Sequence, residues 1–532
     1  MDQEQEQKNN NTNTGNRLLL LIAMVLGALI GVITASHFQT KQEYVSLNDK
    51  LGEVLNLVEE NYVDIIDADS IGDRMIAAIL SELDPHSIYL SARDAERTNE
   101  MMRGNFEGIG VVLHRDGDST FIGQVLNDGP SAGSGMTPGD LIVAVDGQQV
   151  IGMPTDSVIA RLRGPSRTTV NIQVQRQSSN LNFTIRRGVV QHKSVVYSDM
   201  IDETTGYIVL STFSTTSHEE FHNALLDLLN RGMKSLIFDL RGNTGGSLES
   251  AVGIANELLP AGSLIVYTQG AHHKREDIVA RRGGLFTSGS LVVLVDENSA
   301  SASEVVSGAL QDNDRATIAG RRTFGKGLVQ GEFSLKDGSS VLLTIARYYT
   351  PSGRSIQRPY DQGTDEYYRD YLEQLVEESY ADNPTLHVTD STPYHTVGGR
   401  IVYGGGGIFP DQLIPYRKDP TIIYYNHLSS NGILTKVAFN EVRRHAKEWL
   451  ERYPSLDSFC RHFKVYDNVI DDVVRLGEKA GIPFDSKGLE AQRHLILTMI
   501  KAYIGDFLYG QQAFYRIYLP EDEDFKQIRK LQ

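Results

Sequence analysis

Three changes of pattern predict a multidomain chain of mixed α/β and α+β class, with an N-terminal membrane helix, a helical arm, a β-rich domain, an α/β core and a helical C-terminal domain. An uncharged apolar run occupies residues 18–35. Helical periodicity gives way near residue 103 to short alternating strands, and near residue 189 to compact apolar strands separated by helices. Helical periodicity returns after residue 421 and continues to the end. At 532 residues the chain is too long for one ordinary core, and at roughly 100–200 residues per domain it divides into three or four units.

Composition narrows the function classes. A formal charge of −17 leaves no basic footprint for tracking phosphates, so nucleic acid is excluded as a principal partner. Cys460 is the only cysteine, which rules out an internal disulfide and a cysteine-rich metal site. No metal or organic cofactor is expected.

The elements follow in order. Residues 1–16 are polar, rich in Gln and Asn, and read as a disordered tail. Residues 17–36 hold the apolar run; as a helix it would span roughly 27 Å, close to a hydrocarbon core of about 30 Å. Thr34, Ala35 and Ser36 offer no clear small-x-small cleavage site, so an uncleaved anchor is favoured over a signal peptide, and the bulk of the chain is expected outside the cytoplasm. Residues 41–102 read as helical, with Leu51, Val54, Leu55 and Val58 on one stripe and Met75, Ile76, Ile79 and Leu80 on another. His86, after Pro85, reads as a turn histidine.

Residues 103–188 alternate in short strands broken by Asp116-Gly117, Gly139-Asp140 and Asp146-Gly147. Gly108-Ile109-Gly110-Val111 before the first strand, with the GDLI and VDG segments beyond it, resembles a PDZ domain. That resemblance implies that these four residues turn backbone amides toward a peptide carboxylate while the following strand pairs with the peptide.

Residues 189–420 carry buried-type strands at 206–210, 235–239, 291–295 and 316–319, with helices expected at 219–229, 248–259 and 302–311. A hairpin folds residues 329–335 onto 341–346. Residues 360–394 read as an inserted surface element with a helix over 366–379, and Gly404 to Gly407 as a flexible turn. Residues 421–532 show only helical periodicity.

The chemistry concentrates in residues 291–330. Ser299, Ser301 and Ser303 compete as nucleophiles. Ser301 and Glu304 have capping-box spacing, yet that position also sets a hydroxyl among free amides at a positive helix end. No histidine lies in a context that points to these serines, and no G-x-S-x-G or S-x-x-K motif is present. Lys326, between Gly325 and Gly327, becomes a base only if burial lowers its pKa, which Phe324 and Leu328 could provide. Residues 320–327, GRRTFGKG, mimic a phosphate loop, but Gly327 stands where the magnesium-binding Ser/Thr belongs and a strand pattern follows.

The segments LDPHS (83–87), GIG (108–110), DLRGNTGG (239–246), SASASE (299–304), GALQD (308–312), TFGKG with Gln330 (323–330), YYTPSGRSIQ (348–357) and IFPD (408–411) occur in fixed order. Together they resemble the C-terminal processing peptidases, or tail-specific proteases. The resemblance implies a serine endopeptidase with Ser301 as nucleophile, Lys326 as general base, Gln330 positioning the lysine, and the amides of Gly246 and Ala302 as the oxyanion hole. Thr244 departs from the proline frequent in the family, and neither the 360–394 insertion nor the long C-terminal region belongs to the minimal pattern. The expected partners are unfolded or tail-exposed proteins, a membrane through the N-terminal helix, and a second copy through the helical regions. The expected location is a bacterial inner membrane with the peptidase in the periplasm, or export after signal cleavage. An inactive membrane-tethered PDZ scaffold or chaperone is the alternative; it calls for a missing serine, lysine or oxyanion glycine, and all are present.

Overall fold

The computed structural model describes residues 18–34, 46–281, 283–380, 388, 390–416 and 419–530. Two units divide between Met75 and Ile76. In the first, residues 18–34 form an exposed helix. No helix among the described residues is long and apolar enough to cross a membrane. The spanning helix expected over residues 17–36 is therefore not seen, and the tail 1–16 lies outside the described residues. The helix Leu47–Asn61 is capped by Ser46, whose side chain accepts from the Asp49 amide, and it buries none of its residues.

The expectation of an all-helical stretch to residue 102 needs correcting within the second unit, which begins inside the helix Ala68–Ser81. Between the helices Ala68–Ser81 and Ala92–Arg103 lies a strand, Ile88–Leu90, antiparallel to Ser340–Tyr349. Pro85 has no N–H with which to continue a helix. Asp84 turns the chain by accepting from the amides of His86 and Ser87, each at 2.8 Å.

The PDZ-like domain is a sheet in the order Val111–Asp116, Ser119–Val125, Leu141–Val145, Thr169–Arg176, Ser179–Arg186, packed on the helix Thr155–Leu162. Alternation sets its faces: Val170, Ile172 and Val174 are buried while Asn171 and Gln175 are exposed. A two-stranded ribbon, Asn105–Gly108 with Gly188–Gln191, brings the ends of the domain together.

The α/β core is a six-stranded sheet in the order Val195–Met200, Thr205–Leu210, Ser235–Asp239, Ser290–Val295, Thr317–Gly320, Gln412–Leu413, parallel except for its first pair. Each central strand is apolar on both faces, so both must be covered. Ile208, Phe238 and Val293 face the helices Ser217–Asn230, Leu248–Leu258 and Ala302–Asp312. Tyr207, Ile237, Val292 and Leu294 face Leu519, Phe525 and Ile528 from the end of the chain. A second sheet carries the expected hairpin, Leu328–Ser334 on Ser340–Tyr349, with Leu264–Gln269, Glu276–Val279 and Ile88–Leu90 beside it. The insertion contributes the helix Thr364–Tyr380.

The C-terminal helices, among them Ile433–Arg452 and Ser486–Tyr509, pack around Leu434, Val437, Val473 and Ile500. They also hold the PDZ-like sheet. The Phe439 ring lies 3.9 Å from that of His114, the Arg443 guanidinium stands 4.3 Å above Phe121, and Lys436 pairs with Asp116 at 2.9 Å.

Phe525, 5% exposed and edge-on to Tyr207 at 5.4 Å, tests whether the end of the chain belongs to the core. Phe525→Ala is expected to cost about 3–5 kcal/mol, read as a lowered midpoint of urea unfolding followed by near-UV circular dichroism.

Candidate active site

The turn that carries Ser301 begins where the strand Ser290–Val295 leaves the sheet. Asp296 closes it by accepting from the amides of Asn298 and Ser299 at 3.0 Å each, and from Gly242 of the neighbouring loop at 2.9 Å. Two of the three serines are spent on structure. Ser299 Oγ donates to the Leu240 carbonyl at 2.8 Å, and Ser303 Oγ donates to the Asn243 carbonyl at 2.8 Å; both side chains are fully buried. Ser301 is half-buried, and its hydroxyl proton is not committed to any described acceptor. Its φ of 54° with ψ of −110° is a strained backbone for a serine. The amide of Glu304 also bonds the Ser301 carbonyl, at 2.9 Å, and the expected capping box with Glu304 holds the turn, while the Ser301 hydroxyl donates to no described group.

That return half reaches further than a cap. The fully buried Glu304 carboxylate accepts from the Ser301 amide at 2.8 Å, the Lys326 amide at 2.9 Å, the Gly325 amide at 2.7 Å and Thr323 Oγ at 2.6 Å. One carboxylate thus joins the backbone of the serine turn to the backbone of the lysine loop. Burial raises its pKa, and these four donors oppose the rise. The Tyr348 hydroxyl lies between the carbonyl oxygens of Lys326 (2.5 Å) and Ser301 (3.1 Å), tying the same two segments from another side.

Lys326 Nζ donates to Gln330 Oε1 at 2.8 Å, and Gln330 Nε2 donates to the His86 carbonyl. Burial holds the lysine below its ordinary pKa, against the pull of the Asp84 and Glu304 carboxylates. The His86 ring, bonded through Nε2 to the Tyr367 hydroxyl at 3.0 Å, is lowered to about 4 by burial and then by the nearby Lys326 charge, so it is neutral at pH 7. Ser301 Oγ and Lys326 Nζ are not hydrogen-bonded to each other. In the absence of substrate such bonds are often long and tighten only once it binds.

The loop after Asp239 supplies the facing wall. A Cβ on Gly245 would stand 2.9 Å from Ser301 Cβ and 3.0 Å from the Ala302 nitrogen, so only a glycine, here at φ +102°, lets the loop approach this closely. The Gly246 and Ala302 amides have no acceptor among the described residues, since Phe213 is bridged by the Gly245 carbonyl and the Ser247 amide. Two unspent N–H groups therefore lie on the two segments that meet at Ser301.

Residues 204–365 match peptidase family S41, residues 121–176 match a PDZ domain, and residues 424–510 match a family of unknown function (DUF8443). Over 337 residues, 61% of this chain and 76% of the relative, the sequence is 32% identical to the carboxy-terminal-processing protease of Bartonella bacilliformis. It is 31% identical over 347 residues to the carboxy-terminal processing protease CtpA of Bacillus subtilis, covering 64% of this chain and 74% of that protein. This chain belongs to the carboxy-terminal processing proteases, serine-type peptidases of family S41.

In this protease the PDZ loop and the peptidase site are separate places. Gly108 pairs with Gly188 in the ribbon, Ile109 is buried in the PDZ core, Gly110 packs on Gly129, and Val111 opens a strand bonded within its sheet on one side only. One expectation needs correction. Residues 404–407 are a largely buried turn, because a Cβ on Gly325 would lie 3.0 Å from the Gly407 nitrogen and the two backbones pack directly. His86 is a turn residue, as expected, but it also anchors Gln330. Sequence reading missed Tyr348 and His86 as supports, and no local signal marks them. Glu304 could have been found from its spacing to Ser301.

Gly245→Ala is expected to lower kcat by about a hundredfold or more, on the scale of a lost oxyanion donor, at a stability cost of about 1–3 kcal/mol. Steady-state cleavage of an unfolded reporter, alongside thermal unfolding, separates the two effects.

Proposed function

We propose that this protease is a membrane-anchored endopeptidase that takes unstructured protein C-termini in its PDZ domain and cleaves peptide bonds with a Ser301–Lys326 dyad through an acyl-enzyme. The observation that carries the reading is the free Ser301 hydroxyl, on a turn locked through Glu304 to the Lys326 backbone, beside the unspent amides of Gly246 and Ala302. Neutral Lys326 takes the proton of Ser301 as Oγ attacks the substrate carbonyl. The oxyanion that forms is held by the two amides. The lysinium then donates to the leaving amine, and water releases the acyl group. Gln330 accepts from Nζ and leaves the amine lone pair free for the serine proton.

The open edge of Val111–Asp116 suits strand addition by a substrate tail, with Gly108, Ile109, Gly110 and Val111 receiving its carboxylate. The uncharged run over 18–35 supports anchoring in a bacterial inner membrane with the peptidase in the periplasm. Leu47, Val54, Leu55 and Leu57, exposed on Leu47–Asn61, support pairing with a second copy.

Unfolded reporters differing only in their last three residues test the function. Apolar tails are expected to be cleaved fastest, and Ser301→Ala and Lys326→Ala to abolish cleavage; full activity in either variant would remove the dyad. The pH dependence has a definite sign. Because burial disfavours the ammonium form, kcat/KM is expected to rise with pH along a limb whose midpoint lies below the ordinary lysine value of 10.5. A pH–rate profile with its midpoint at or above that value rules out Lys326 as the base.

A further inference from the structure

The end of the chain carries two carboxylates into the peptidase core, outside every motif that drew attention in the sequence. Asp522 caps the short helix Glu523–Ile528, and Leu519, Phe525 and Ile528 seat this segment on the sheet. Arg241, the residue before the glycine loop 242–246, donates to Asp522 through Nη2 at 2.7 Å and to Asp524 through Nη1 at 3.0 Å. Arg321, at the exit of Thr317–Gly320 and five residues before Lys326, donates to the same Asp524 oxygen at 3.0 Å. Each arginine also has an acid of its own: Asp239 for Arg241 at 2.7 Å, and Glu297 of the nucleophile turn for Arg321 at 2.9 Å.

Asp239 holds Arg241 within its own segment, whereas Glu297 ties Arg321 to the Ser301 turn. Among the described residues only Asp524 connects the two guanidiniums, and it does so where they are largely withdrawn from water and charge-assisted bonds are strongest. Arg241 begins the loop whose Asn243 carbonyl accepts from the Ala300 amide at 3.0 Å, beside the serine turn. Arg321 begins the loop that presents Lys326.

We propose that Asp522 and Asp524 are positioning residues for proteolysis. The C-terminal segment clamps the oxyanion loop to the lysine loop, so that the last helix of the chain completes the active-site geometry. The proposal rests on the Ser301–Lys326 reading above. Neither aspartate touches substrate; they act through Arg241 and Arg321.

The test uses the full chain and an unfolded reporter with an apolar tail. Asp522→Asn/Asp524→Asn is expected to lower kcat about tenfold or more while KM changes less than about twofold, as for an interaction that matters mainly in the transition state. Labelling of Ser301 by a fluorophosphonate is expected to slow in parallel, and Asp524→Glu to recover part of the loss. Ile528→Ala, a packing loss on the same segment, is expected to lower the unfolding midpoint and keep kcat. A parent-like kcat in the double variant overturns the proposal, as does an equal kcat loss in Ile528→Ala. Should the double variant not fold, Asp524→Asn alone, which keeps the Asp522 bonds, decides by the same readings. If Ser301→Ala still cleaves, the dyad and this proposal fall together. If Ser301→Ala is inactive and the aspartate variants are parent-like, only this proposal falls.

Discussion

A carboxylate with no access to water must be surrounded by donors, and Glu304 meets that demand with three backbone amides and one hydroxyl. The donors come from two segments with different origins. Ser301 follows a strand of the six-stranded sheet, whereas residues 323–326 lead into the hairpin of the second sheet. Sharing one acid sets the spacing of these segments. Moving either away would leave a buried carboxyl group short of donors, at a cost of about 1–3 kcal/mol for each group left unsatisfied. The strained backbone of Ser301 is sustained by the same bonds, with the capping box that its spacing to Glu304 suggests.

Around that junction the glycines act as spacers. Gly245 brings the loop 242–246 against Ser301 and Ala302, and Gly325 brings the loop of Lys326 against residues 406–407. The P-loop likeness of residues 320–327 has the same origin. The glycine and lysine composition serves close backbone approach and burial of an amine, and no phosphate is needed to account for it.

The C-terminal region binds the architecture together. A mostly parallel sheet with apolar residues on both faces cannot leave one face to water. The helices of the α/β region cover one side, and Leu519, Phe525 and Ile528 cover the other. The same region meets the PDZ sheet through Phe439, Arg443 and Lys436. A segment with no chemical motif is therefore in contact with both functional domains.

Strand and helix identity were readable because they rest on local periodicity. Ser235–Asp239 falls within the limits its apolar run predicts, and Leu248–Leu258 within a residue of them. The candidate residues were also readable, since a serine before a helix and a lysine between glycines lie within one short stretch. Which serine has a free hydroxyl was not readable. Ser299 and Ser303 are occupied by carbonyls of Leu240 and Asn243, about 60 residues away in sequence. Nor were the supports of His86 and Tyr348, the covering of the sheet by Phe525, or the reach of Asp524 to Arg241 and Arg321. The sequence by itself determined the elements, the domain order and the reactive residue types, because periodicity and short motifs are properties of neighbours along the chain. Tertiary structure alone decided which polar groups are spent and which are free, because that depends on partners that only folding brings within hydrogen-bonding distance.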